Sequence, residues 1–84
     1  MNIILGNTKK IHFVGIGGIG MSGMAEFLQS HNFIISGSDI ELSNRVKHLK
    51  SIGIKIYIGH KKNNITNSNL IVYSSAIPKN NPEL

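Results

Sequence analysis

An apolar run that passes into a glycine-rich turn, with an amphipathic stretch directly behind it, constrains this chain more than any other feature. The run reads Ile11-His12-Phe13-Val14-Gly15-Ile16-Gly17-Gly18-Ile19-Gly20-Met21-Ser22. Gly15, Gly17 and Gly20 fit the pattern G-x-G-x-x-G, which lets a backbone turn wrap a phosphate or diphosphate. In that pattern the first glycine permits the tight turn and the second omits a Cβ that would strike the ligand. The third lets the helix lie close to the strand. The free N–H groups and positive dipole end of the following helix then face an anion. The competing reading is a strand-to-helix packing device that holds no ligand.

The remaining chain extends the same theme. Ile11 to Val14 reads as a central parallel strand, buried on both faces. The stripe Gly20, Met24, Phe27, Leu28 and His31 predicts a helix from Gly18 to about His31, with Asn32 as the left-handed residue that ends it. Phe33 to Asp39 reads as a second strand. Ser43 is suited to cap a second helix whose stripe Leu42, Val46, Leu49, Ile52 is stopped by Gly53. Ile54 to Ile58 alternates, as expected of a half-exposed strand at a sheet edge. A polar stretch from Gly59 to Asn69 has room for one helical turn around residues 64–66. Leu70 to Tyr73 forms the fourth strand, and Ser74-Ser75-Ala76-Ile77-Pro78 leaves its carboxyl end.

Alternating strands and helices require right-handed crossovers and a parallel sheet. The fold class is therefore α/β: a Rossmann-like parallel sheet of order 3-2-1-4 flanked by helices, in one domain spanning residues 1–84. The order reverses between the first and fourth strands, where a crevice should open above their carboxyl ends. Near the end, Asn81-Pro82-Glu83 carries a helix-start signal of cap residue, proline and acid. On this signal the chain is expected to be a truncated piece of a longer protein.

Composition narrows the function classes. With 84 residues, such a chain buries only about 60–65% of its unfolded surface, enough for one small domain. No cysteine is present, which excludes disulfides and thiolate metal sites and suits a reducing compartment. No apolar run approaches the roughly 20 residues of a membrane span, and no basic region precedes the first apolar patch. A cytoplasmic location without membrane association is expected. The net charge of +5 is dispersed, with Lys9-Lys10, Lys47, Lys50, Lys55 and Lys61-Lys62 among those in different elements, and only Arg45 supplies a guanidinium. Nucleic-acid modules concentrate charge and interleave aromatics, so no nucleic-acid partner is expected. The four acids are too few for paired-carboxylate chemistry. No catalytic residue, metal site or cofactor site emerges from the spacing.

Several side chains carry two readings. Asp39 lies 19 residues beyond Gly20, where dinucleotide folds place a carboxylate on ribose hydroxyls; otherwise it is an exposed acid opening a turn. Glu41 beside it disfavours a phosphate on that ribose. Ser74 and Ser75 either donate to a phosphate or sugar or satisfy backbone groups at the strand end. Ser22 either joins the phosphate cradle or bonds back to its helix. His60 reads by default as solvated, His12 as packed or hydrogen-bonded, and His31 and His48 as helix-surface residues.

Four blocks in order carry a family resemblance: Ile11 to Gly23, Ser36-Gly37-Ser38-Asp39, Ile58-Gly59-His60, and Ser74 to Pro78 followed by Asn81-Pro82-Glu83. Together they resemble the N-terminal domain of the Mur ligases of peptidoglycan synthesis, the members that add L-alanine in particular. The resemblance implies three domains, the first binding the UDP part of UDP-N-acetylmuramate and the others supplying the ATP and amino-acid sites in cis. It also implies ATP and magnesium in the full-length enzyme, which activates the muramyl carboxylate as an acyl phosphate for attack by L-alanine. Carried over by position, Gly15, Gly17, Gly18, Ile19, Gly20, Met21 and Ser22 hold the diphosphate, Asp39 lies by the ribose or uracil, and His60 approaches the uracil. Ser74, Ser75 and Ala76 line the groove. One departure matters: no G-x-x-x-x-G-K-[ST] occurs in these residues, so this chain should bind the substrate without ligating it. The alternatives are a nicotinamide-binding domain of an oxidoreductase, the related ligase that recycles muramyl peptides, and a ligand-free regulatory module.

Overall fold

In the computed structural model, which describes residues 9–65 and 67–84, the apolar run becomes the first and most buried strand. This is β1 (Lys10–Val14), followed by α1 (Met21–Ser30), β2 (Ile34–Asp39), α2 (Asn44–Ser51) and β3 (Lys55–Ile58). A 3-10 turn at Lys62–Ile65 leads to β4 (Leu70–Tyr73). The strands form one sheet of order β3-β2-β1-β4, with every pairing parallel. Both the order and the edge position of β3 match the sequence expectation.

The alternation of side chains across a strand divides the sheet into two unlike faces. Ile11 and Phe13 point to the face covered by both helices. They join Ile16, Met21, Ala25, Leu28, Ile35, Val46, Leu49 and Ile54 in the apolar core. His12 points the other way and is also fully buried, beside Ser36, its register partner on β2. No α-helix covers this second face among the described residues. The 3-10 turn and the chain end close over it instead, which makes room for a polar layer.

Helix α1 differs from expectation in phase. Its buried residues are Met21, Ala25 and Leu28, again spaced i, i+4, i+7, while Met24 and Phe27 stand partly exposed and His31 is exposed. The predicted stripe had followed the larger apolar side chains, whereas the helix turns its smaller Ala25 toward the core. Phe27 stacks on His31 at the surface instead, ring centres 4.3 Å apart. Asn32 ends the helix in the left-handed conformation at φ 70°. The Ser43 hydroxyl caps α2 by accepting from the Val46 N–H at 3.2 Å. No helix among the described residues is long and apolar enough to cross a membrane.

Candidate functional site

The glycine turn is held from beneath by β2. The N–H groups of Gly15 and Ile16 both donate to the Ser38 carbonyl, at 2.9 and 3.0 Å. The Gly17 N–H donates to Asp39 Oδ2 at 2.9 Å, and Arg45 Nη1 donates to the Gly17 carbonyl at 3.0 Å. A Cβ on Gly17 would lie 2.7 Å from Val46 Cγ2 and 2.8 Å from Asp39 Oδ2. The fold itself thus requires glycine at this second position, because α2 and Asp39 leave no room for a Cβ.

Gly20 acts differently than expected. A Cβ there would meet nothing within 4 Å, so this residue does not set the approach of helix to strand. Its φ of +82° is what demands glycine, since L side chains rarely adopt that conformation. The close approach falls instead at Gly37, where a Cβ would lie 2.6 Å from the Cβ of Ile16. Beyond Gly20, α1 starts with no side-chain cap and no acid in its first turn. The Met21 and Ser22 N–H groups donate to the Gly18 carbonyl at 3.1 and 3.3 Å, so what this end offers an anion is the positive end of the helix dipole.

The expected crevice is present above the carboxyl ends of β1 and β4. It has a volume of about 630 Å³ and is lined by Gly15, Asp39, Ile40 and His60 together with Ala76 to Pro78 and Asn80 to Pro82. Of the sequence candidates, Gly15, Asp39, His60 and Ala76 reach it. Gly17, Gly18, Ile19, Gly20 and Ser22 belong to the adjoining turn and first helical turn. Met21 sends its side chain into the core. Ser74 and Ser75 do not line the crevice; the Ser74 hydroxyl accepts from the Ala76 N–H at 3.3 Å, and Ser75 is exposed. Asp39 is engaged by the backbone on both oxygens, Oδ1 accepting from the Ile40 N–H at 2.8 Å.

The residue that sequence reasoning missed is Glu83. It is 1% exposed and sits on the polar face of the sheet. Its Oε1 accepts from His12 Nε2 at 2.7 Å and from the Ser38 hydroxyl at 2.6 Å. Its Oε2 accepts from the Lys61 N–H at 2.9 Å and from Asn64 Nδ2 at 2.7 Å. A carboxylate has about four lone-pair sites, and all four are used. Burial raises the pKa of this carboxyl, but the donors from Ser38, Asn64, His12 and Lys61 outweigh it and hold the group below its ordinary value. His60 belongs to the same network and is not a solvated loop residue: its Nδ1 lies 2.8 Å from Ser38 Oγ and 3.6 Å from Glu83 Oε2.

The Asn81-Pro82-Glu83 signal did point to this segment. The Asn81 side chain accepts from the Glu83 N–H at 2.9 Å, and its carbonyl accepts from the Leu84 N–H at 3.0 Å. This is the capping geometry the motif predicts, here closing a turn. No local pattern could show that the acid would turn inward to His12, 71 residues away.

A model of the Mur ligase family, catalytic domain, matches residues 10–84. Among curated proteins, the chain is 58% identical to a UDP-N-acetylmuramate–L-alanine ligase of Clostridium botulinum (strain Kyoto / Type A2) over 83 residues, covering 99% of the chain and 18% of the relative. A ligase of the same name from Clostridium novyi is 52% identical over the same span and shares. The chain thus covers under a fifth of the length of these relatives. Among solved structures, the UDP-N-acetylmuramate-alanine ligase of Thermotoga maritima aligns with a TM-score of 0.84 at 42% identity, over 88% of this chain and 17% of that one. The UDP-N-acetylmuramate:L-alanyl-gamma-D-glutamyl-meso-diaminopimelate ligase of Neisseria meningitides aligns at 0.80 and 26% identity, over 89% and 24%.

Proposed function

Because this chain belongs to the Mur ligase family, its match running through residues 10–84, we propose that it is the substrate-gripping N-terminal domain of an L-alanine-adding ligase. Its task is to hold the UDP moiety of UDP-N-acetylmuramate. The observation that carries this reading is the crevice itself, where the glycine turn and the Ala76–Pro82 wall face each other above the sheet's switch point. The higher identities to alanine-adding relatives than to the tripeptide-adding structure favour the former over the recycling branch.

The division of labour follows from the charges. Asp39 places a negative group against Gly17, so a diphosphate is best accommodated at the Ile19–Ser22 end, by the positive dipole end of α1. The crevice then receives the uridine between His60 and the Ala76–Pro78 wall, and Asp39 is near enough to accept from a sugar hydroxyl with a remaining lone pair. Ser74 and Ser75 shape the turn that presents Ala76. The same Asp39–Gly17 bond disfavours the nicotinamide alternative, in which the diphosphate approaches the second glycine.

ATP and magnesium belong to the whole enzyme, and this chain's residues do not fit them. It carries no G-x-x-x-x-G-K-[ST], and among the described residues no three metal-ligating side chains converge. Titration of the 15N-labelled chain with UDP-N-acetylmuramate, and separately with NADH, tests the reading. Amide shifts at Ile19 to Ser22, His60 and Ala76 with the UDP-sugar alone are expected; shifts with NADH alone would overturn it.

A further inference from the structure

Glu83 does more than close a turn, because its hydrogen bonds dictate where a proton sits on the crevice. A carboxylate only accepts, so the Ser38 hydroxyl must donate its single proton to Glu83 Oε1. Ser38 is fully buried and has no second proton to give. Its 2.8 Å contact with His60 therefore requires the imidazole Nδ1 to be the donor. A neutral imidazole with its proton on Nδ1 has a bare Nε2.

That second nitrogen belongs to a ring that lines the crevice. His60 lines it and keeps 15% of its side-chain surface exposed. Among the described residues, no buried side-chain nitrogen or oxygen lacks a partner, and Nε2 makes no protein hydrogen bond. It is the open edge of the ring. The segment that delivers Glu83 also supplies the facing wall, Asn80, Asn81 and Pro82. One buried carboxylate thus positions both sides of the crevice.

We propose that Glu83, acting through Ser38, fixes His60 in its Nδ1–H form, so that the crevice offers a bare Nε2 acceptor and selects ligands with an N–H or O–H donor there. Glu83 and Ser38 are positioning residues, and His60 is the group that meets the ligand. The imide N–H of a uracil and a ribose hydroxyl are donors of the right class, and a group able only to accept is rejected. This ligand assignment rests on the proposed function; the tautomer does not.

The experiment is a 15N–1H correlation of the histidine side chains in the 84-residue chain at about pH 8, above the ordinary imidazole range. The expected result is a protonated-type Nδ1 and a bare-type Nε2 for His60 without ligand. A protonated Nε2, or a mixture of the two forms, overturns the proposal whether or not a UDP-sugar binds. Adding UDP-N-acetylmuramate should move the Nε2 resonance toward a hydrogen-bonded value and leave Nδ1 protonated. Tight binding with no change at Nε2 overturns the selection. Absence of binding in a chain that keeps the Nδ1–H form overturns the proposed function and leaves the tautomer standing. The variant Ser38→Ala cuts the link to Glu83, and its His60 should shift toward the Nε2–H form that free imidazole side chains favour. Binding should weaken about fivefold to tenfold, the loss expected for one hydrogen bond. Should that variant not fold, Ser38→Thr, which retains the hydroxyl, must keep the wild-type tautomer.

Discussion

Four donors converge on the oxygens of Glu83, and their combined effect against burial sets how the fold responds to acid. The folded carboxyl titrates below its unfolded value of 4.5. A group depressed in this way contributes stability that is fully present above the unfolded value and is lost as pH falls through the folded one. Urea denaturation from neutral pH down to about pH 3 should show stability declining below 4.5. In Glu83→Gln that acid-dependent loss should be smaller. The same variant should be less stable at neutral pH by on the order of 3 kcal/mol, because its amide turns one accepting edge into a donor facing donors. Equal acid profiles for the two chains would remove the carboxylate from this role. His12 is packed and hydrogen-bonded, as its place within an apolar strand run predicts. Glu83 was not legible in the sequence, because a cap motif explains an acid there without any distant partner.

At the scale of elements, every strand and helix was legible in the sequence, because the periods of apolar residues follow directly from strand and helix geometry. The phase of α1 was not. Leu28 belongs to both candidate stripes, and the choice between Met24 and Ala25 depends on how closely α1 must lie against the sheet and α2. Core packing then favours the smaller residue. Substituting Ala25→Leu should overpack this contact and cost about 1–3 kcal/mol. Met24→Gln, at a partly exposed position, should stay within about 0.5 kcal/mol. Thermal or urea denaturation of both variants checks the phase, and the reverse order of effects would restore the sequence-predicted stripe. The glycine turn teaches a related lesson. Its pattern is visible in the sequence, but packing demands glycine at Gly17 through Val46 and Asp39 as well, and at Gly20 the backbone conformation rather than a close approach demands it.

For the whole molecule, the sheet's two faces separate two roles. The helical face carries the apolar core and supplies stability. The polar face and the strand ends carry the crevice and its histidine. With ATP, L-alanine, magnesium and UDP-N-acetylmuramate present, the 84-residue chain should bind the sugar nucleotide and form no amide bond. Binding to the folded state should raise its melting temperature, by about 2.7 kcal/mol of added stability at a hundredfold excess over Kd. Ligase turnover by this chain alone would refute that assignment, and a melting temperature unmoved by the ligand would refute the binding role.

The sequence by itself determined the α/β class, the strand order, the switch-point crevice and the family, since these depend on periodicity and on short motifs read locally. Only the tertiary structure decided which residues reach the crevice and how they are held there. Ser38, His60, His12 and Glu83 lie on four separate segments, and nothing local to any of them encodes that Glu83 will be buried among the others. That contact comes from the sheet's register and from the need to satisfy a fully buried carboxylate.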